Sequence, residues 1–184
     1  MSTQNEAGTA IKISENGADI TYICLGSAYN NVILLRDALL DKMAMASSGN
    51  ADFATSSMAT FLNGTYLSLF PSRIVNWLRD STISYQVNRG GTITIETSDY
   101  KAFPLSLYEL GFGGDEGGTS FLSALETYKN TTSGNAARIA SLSGTASIYW
   151  TRSAYTGNTQ RYKVIAATGA SGSLNYYNQT TPQA

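Results

Sequence analysis

Apolar and polar positions alternate at the start of the chain. Thr9-Ala10-Ile11-Lys12-Ile13 keeps a two-residue period and stops at Glu15-Asn16-Gly17, a tight hairpin signal. Asp19 to Leu25 reads as the returning strand, and Val32-Ile33-Leu34-Leu35 as a short buried strand. These pieces predict an N-terminal antiparallel sheet, preceded by a flexible arm over residues 1–8. The period then changes. Ser56 or Ser57 caps a helix carrying Met58, Phe61 and Leu62, with Asn63-Gly64 as its stop. Tyr66, Leu67, Leu69 and Phe70 form a second apolar cluster. Pro71 suits a first helical turn, with Ile74, Val75, Trp77 and Leu78 at helical spacing behind it. Thr92 to Thr97 alternates strictly and predicts a strand with one buried face. Pro104 to Leu110 reads as a short helix ending at Gly111, and Ser120 to Lys129 as another.

The last third is β in character. Ser147 to Ser153 and Arg161 to Thr168 read as strands, with Gly157-Asn158 in the turn region between them. Leu174 to Tyr177 follows the turn at Gly169-Ala170-Ser171-Gly172. No solenoid-length repeat and no linker divides the chain. The expectation is one α+β domain over residues 9–184, with small antiparallel sheets, two to four short helices and long loops.

Composition excludes much chemistry. Twelve Lys+Arg stand against thirteen Asp+Glu in 184 residues, so no basic excess exists to drive nucleic-acid binding by counterion release. There is no histidine, which removes His-dependent nucleophile systems and His-ligated zinc. Cys24 is the only cysteine, so no internal disulfide forms, and its apolar strand reads it as a buried inert thiol. Met1 to Glu6 is polar and carries no Lys or Arg before an apolar run, so no signal peptide is read and synthesis in a cytoplasm is expected. No stretch reaches the about 18 apolar residues of a membrane span, and no membrane insertion is expected.

Several blocks carry a resemblance. They are Leu62-Asn63-Gly64-Thr65-Tyr66, Phe103-Pro104-Leu105-Ser106-Leu107-Tyr108-Glu109-Leu110-Gly111, Trp150-Thr151-Arg152-Ser153, Val164 to Gly169, and Tyr176-Tyr177. In this order they resemble an uncharacterised domain family of phages, prophages and bacterial surface proteins, over roughly Thr9 to Ala184. That family is similar to the C-type-lectin-like fold, shares a W-x-R-S segment and usually closes with a G-V-R-P-A strand. The chain stops at Thr180-Thr181-Pro182-Gln183-Ala184, where the closing strand should begin. The expectation is an early end, an edge supplied by a neighbouring chain, or a reduced sheet. Calcium-dependent sugar binding of the lectin type is disfavoured, because none of Pro71, Pro104 and Pro182 precedes Asn or Asp.

Trp150 and Arg152 carry the resemblance and are expected to be structural: Trp150 as a core anchor beside the helix containing Trp77, Arg152 as a planar fork tying loop carbonyls or a carboxylate. Tyr155, Asn158, Arg161, Lys163, Asn175, Tyr177 and Asn178, together with Gln160, are too many large polar groups for a core. They read as a recognition face or as an ordinary solvated β-surface. Gly111 to Gly118 is glycine-dense but lacks the Lys-Ser/Thr of a phosphate loop; its Asp115 and Glu116 read as a solvated loop or a weak cation contact. No metal or cofactor is expected.

The leading expectation is a non-enzymatic phage virion protein: a tail, fibre-tip or decoration domain binding a host-surface glycan or protein, or neighbouring virion subunits, as a homo-oligomer such as a trimer. The alternative is a bacterial or prophage surface adhesion module. A carbohydrate hydrolase using two acids from Asp80, Asp99, Asp115 and Glu116 ranks third, because no acid lies in an apolar run that would raise its pKa.

Overall fold

The Asn-Gly signal makes the first hairpin. In the computed structural model, which describes residues 7–28, 31–112 and 132–175, β1 (Ala10–Glu15) returns as β2 (Ala18–Ala28). Asn16 has φ 47° and Gly17 φ 81°, the left-handed pair that a two-residue turn matched to strand twist requires. β3 (Asn31–Arg36) adds to β2, giving a three-stranded antiparallel sheet in the order β1-β2-β3. Register slips by one residue between Cys24 and Gly26, and the Cys24 thiol is buried and free. Val32 to Leu35 form the expected strand but not a buried one: Val32 is 37% exposed and the next three are half-buried. The expected arm is already tied down at its end, where the Gly8 N–H donates to the Cys24 carbonyl at 2.8 Å.

Two further three-stranded sheets carry the core. β4 (Ala51–Asp52), β5 (Ser81–Arg89) and β6 (Thr92–Tyr100) form one. β9 (Tyr149–Ala154), β10 (Arg161–Ile165) and β11 (Ser171–Asn175) form the other, in the order β11-β10-β9. β7 (Ala140–Leu142) and β8 (Thr145–Ser147) make a separate hairpin. β5 packs against β9, so Ile83, Tyr85 and Val87 share one buried cluster with Trp150, Tyr162 and Val164. All six residues of β9 are buried, which only a strand covered on both faces allows. β6 alternates as expected, yet neither of its faces is fully buried, because it is the outer strand of its sheet.

The helices depart most from expectation. Ser56 caps α1 (Ser57–Phe61), its Oγ accepting from the Ala59 N–H at 3.0 Å. Asn63-Gly64 does not stop it; the chain runs on as a π-turn (Leu62–Tyr66) and a 3-10 turn (Leu67–Leu69). The Asn63 side chain is committed elsewhere. Its amide donates to the carbonyls of Ala102 (2.8 Å) and Ala59 (3.1 Å), and its oxygen accepts from the N–H groups of Lys101 (2.9 Å) and Ala102 (3.1 Å). It is a strut between the helical segment and the chain after β6, and Gly64 is not left-handed.

α2 (Ser72–Val75) begins after Pro71 and lasts one turn. Trp77 falls beyond its end and is 74% exposed, so it is no core anchor beside Trp150; the helical spacing was right but the helix is too short to turn it inward. Pro104 to Leu110 is not a helix either. It is a single turn closed by a Schellman pair of bonds, Phe112 N–H to Leu107 carbonyl (3.1 Å) and Gly111 N–H to Tyr108 carbonyl (2.9 Å), with Gly111 at φ 81°. α3 (Thr132–Arg138) was not expected. It sits so close to the β10–β11 turn that a Cβ on Gly169 would lie 1.8 Å from the Asn135 carbonyl oxygen. The expected Ser120–Lys129 helix and the loop from 113 to 118, with Asp115 and Glu116, lie outside the described residues.

Candidate functional site

The expected polar face lies on the β9–β10–β11 sheet. Arg161 stands directly across from Asn175 in the β10–β11 register, so the loop after β9 and the start of β11 adjoin. The loop is fixed by backbone: Tyr155 N–H donates to the Arg161 carbonyl (2.9 Å) and Ala51 N–H to the Thr159 carbonyl (2.6 Å). Asn88 of β5 donates to the Tyr155 carbonyl at 2.7 Å, and Asn158 Oδ1 accepts from the Gln160 N–H at 2.7 Å. The half-buried Tyr155 ring lies against Gly157, where a Cβ would come within 2.7 Å of it. Lys163 Nζ stands 5.2 Å from the ring centroid, a cation–π distance. Tyr155, Asn158, Arg161 and Lys163 thus share one region, and the Asn175 backbone borders it. Tyr177 and Asn178 lie outside the described residues.

Trp150 and Arg152 are both 0% exposed. Trp150 Nε1 donates to the Met43 carbonyl at 3.0 Å and the ring meets Tyr162 edge-on at 6.3 Å. Arg152 donates to the carbonyls of Ser84 (2.8 Å) and Pro104 (2.7 Å) and grips both oxygens of Glu109 (2.6 and 2.5 Å). Glu109 and Ser106 cap one another: the Ser106 N–H donates to Glu109 Oε2 (2.8 Å), and the Glu109 N–H to Ser106 Oγ (3.1 Å). Glu109 was missed as a partner, although Ser106-x-x-Glu109 has capping-box spacing.

A feature with no forewarning in the sequence is an apolar groove of about 640 Å³ between the β1-β2-β3 sheet and the segment from Leu62 to Leu78. Leu35, Phe70, Ile74, Trp77 and Phe103 are among its walls. Periodicity shows which residues are apolar, but not that two surfaces distant in sequence leave a gap.

Tyr22, Tyr66 and Arg36, which border the groove, meet at the buried Glu15. Tyr22 and Tyr66 both donate to Glu15 Oε1, the latter at 3.2 Å, and their hydroxyls are 2.5 Å apart. Arg36 Nε reaches both oxygens of Glu15 at 3.1 and 3.2 Å. Burial pushes both phenols well above their ordinary value of 10.0; for Tyr22 the neighbouring Tyr66 and Glu15 push further. A raised folded-state value means the native chain holds the proton more tightly than the unfolded chain. The stabilisation is therefore complete below about pH 10 and is lost as pH rises above it. Urea unfolding is expected to be flat from about pH 7 to 9 and to weaken above about pH 10. Tyr22→Phe should lessen that alkaline loss, while the part carried by the other raised phenols, Tyr66, Tyr85, Tyr100 and Tyr162, remains; an equal loss in the variant would exclude Tyr22 as a contributor.

Neither described hydrolase candidate lines this groove, although Asp80 is tied to Lys101 on its wall. Exposed Asp80 pairs with Lys101 at 2.8 Å, and exposed Asp99 accepts from Thr82 at 2.5 Å. Among the described residues no three of His, Cys, Asp and Glu come together as a metal site, and no helix is long and apolar enough to cross a membrane. A family model described as Domain of unknown function (DUF6273) matches residues 29–182. No curated protein and no solved structure matches the chain.

Proposed function

The chain belongs to the family described as Domain of unknown function (DUF6273), and on that premise we propose that it is a non-enzymatic recognition domain. It is C-type-lectin-like in architecture and carried on a phage virion as a tail, fibre-tip or decoration module. The observation that carries the reading is the clamped Tyr155 ring, held between Gly157 and Lys163 beside the Arg161–Asn175 rung. A rigid aromatic flanked by Lys, Arg and Asn makes contact area at low entropy cost, which suits a glycan or protein surface. The small antiparallel sheets and the buried Trp150-x-Arg152-Ser153 segment support the lectin-like architecture. The buried carboxylates Glu15, Asp52 and Glu109 are each held by an arginine, Arg36, Arg89 and Arg152 respectively. A glycosidase's proton donor must instead be free to protonate substrate.

The test is binding of the labelled domain to a panel of bacterial cells and to a glycan array. Saturable binding to at least one surface is expected, weakened roughly tenfold or more by Tyr155→Ala with an unchanged circular dichroism spectrum. Equal binding by the variant, or no surface bound, overturns the reading. Antibodies against the domain should decorate phage particles; labelling of bacterial envelopes alone would instead favour the surface-adhesion module.

A further inference from the structure

Independently of that reading, the outer edge of β3 has properties that the outer strands β1 and β6 lack. β3 is the last strand of its sheet, and among the described residues no strand pairs with its outer side. β1, at the opposite edge, presents Lys12 and Ser14, and the edge strand β6 carries Glu96 and Asp99. Such polar and charged residues blunt an edge against pairing. β3 instead presents Val32-Ile33-Leu34-Leu35, none of them fully buried.

The backbone direction follows from the register. Tyr22 lies opposite Arg36, and the Asp37 N–H donates to the Thr21 carbonyl at 3.0 Å, one residue outside that pair on each strand. Tyr22–Arg36 is therefore a non-hydrogen-bonded pair. The N–H and C=O of Arg36, and by the two-residue period those of Leu34, point away from β2.

The groove reaches this edge. Val32, Ile33, Leu34, Leu35 and Arg36 all border it, together with Ile11, Lys12 and Ile13 of β1 and Tyr22 and Leu25 of β2, so it spans the sheet and opens at the β3 side as well. The charged residues on its walls are all cationic: Lys12, Arg36, Arg79 and Lys101. Glu15 holds Arg36 and Asp80 holds Lys101, and Lys12, on the far strand β1, donates to Thr21 Oγ1 at 2.7 Å; Arg79 pairs with no carboxylate among the described residues.

We propose that the outer edge of β3 is a strand-addition site. It takes an extended segment of a partner polypeptide with apolar side chains at alternate positions and carboxylates beside them. The outward N–H and C=O groups of Leu34 and Arg36 supply the main-chain ladder. The partner's apolar side chains enter the groove against Phe70 and Trp77, and its carboxylates meet the cationic wall at Arg79.

Trp77 is a built-in reporter. It borders the groove and is 74% exposed, while Trp150, the other tryptophan, is 0% exposed and gives a constant background. The probe is an acetylated, amidated heptapeptide of alternating Glu and Val, titrated into the full chain. A saturable blue shift of tryptophan emission is expected. N-methylating alternate peptide nitrogens should abolish it. Replacing Glu by Lys in the peptide, or Val32→Lys in the protein with an unchanged circular dichroism spectrum, should each weaken binding roughly tenfold or more. No shift at millimolar peptide, or equal binding by the N-methylated, Lys-substituted or Val32→Lys combinations, overturns the proposal.

Discussion

Arg152→Ala is expected to cost about 3–5 kcal/mol of folding stability, read as a lower urea midpoint with an unchanged slope. The pair it breaks is 0% exposed on both sides. Truncation leaves the Glu109 carboxylate without its cation in a site that water does not reach. It also leaves the Ser84 and Pro104 carbonyls without the guanidinium donors they now have. The loss comes mainly from abandoned groups rather than from the attraction of the pair, because burying two charges is itself costly. This account makes a second, sharper demand. The double variant Arg152→Met with Glu109→Leu removes both charges together and should recover a large part of the loss. If the double variant is as unstable as the sum of the two single ones, the pair does not act as a unit. If Arg152→Ala costs less than about 1 kcal/mol, the arginine is not the tie between β9, β5 and the Pro104–Leu110 turn.

Trp150→Ala should be of similar size, about 3–5 kcal/mol, for a different reason. The ring is enclosed by a core that includes Tyr162, and its N–H is bonded to the Met43 carbonyl. Removing it opens a cavity within a strand that is buried along its whole length, where neighbours cannot collapse inward. Trp77→Ala is the natural contrast: at 74% exposure it should change stability by no more than about 0.5 kcal/mol. Urea melts of the two variants side by side distinguish the roles. A Trp150→Ala loss below about 1 kcal/mol would mean that the core is not organised around this ring.

What the sequence determined by itself was local. Asn16-Gly17 required a left-handed pair and made a hairpin, and alternation marked β1 and β6. Ser56 marked a helix start because an N-cap acts over three residues. β5 was equally legible in the alternation of Ile83, Tyr85 and Val87 before Gly90-Gly91, and passed unread. Trp150 was legible as a core anchor because so large a ring gains by leaving water, but the burial of Thr151 and Ser153 beside it was not.

Everything that depended on a distant partner was settled only in three dimensions. Asn63-Gly64 has the chemistry of a helix stop, but the Asn63 amide is held by Lys101 and Ala102, and the helix runs on. Trp77 has the spacing of a core residue, but α2 ends too early to bury it. Glu109 and Arg152 are 43 residues apart, and no period links them. The groove is the extreme case. It exists because the β1-β2-β3 sheet and the Leu62–Leu78 segment meet at Glu15, Tyr22 and Tyr66 and diverge above them. A hydrophobic pattern records how much each residue gains by leaving water; where two such surfaces close, and where they stay apart, is fixed by tertiary contacts that the pattern does not encode.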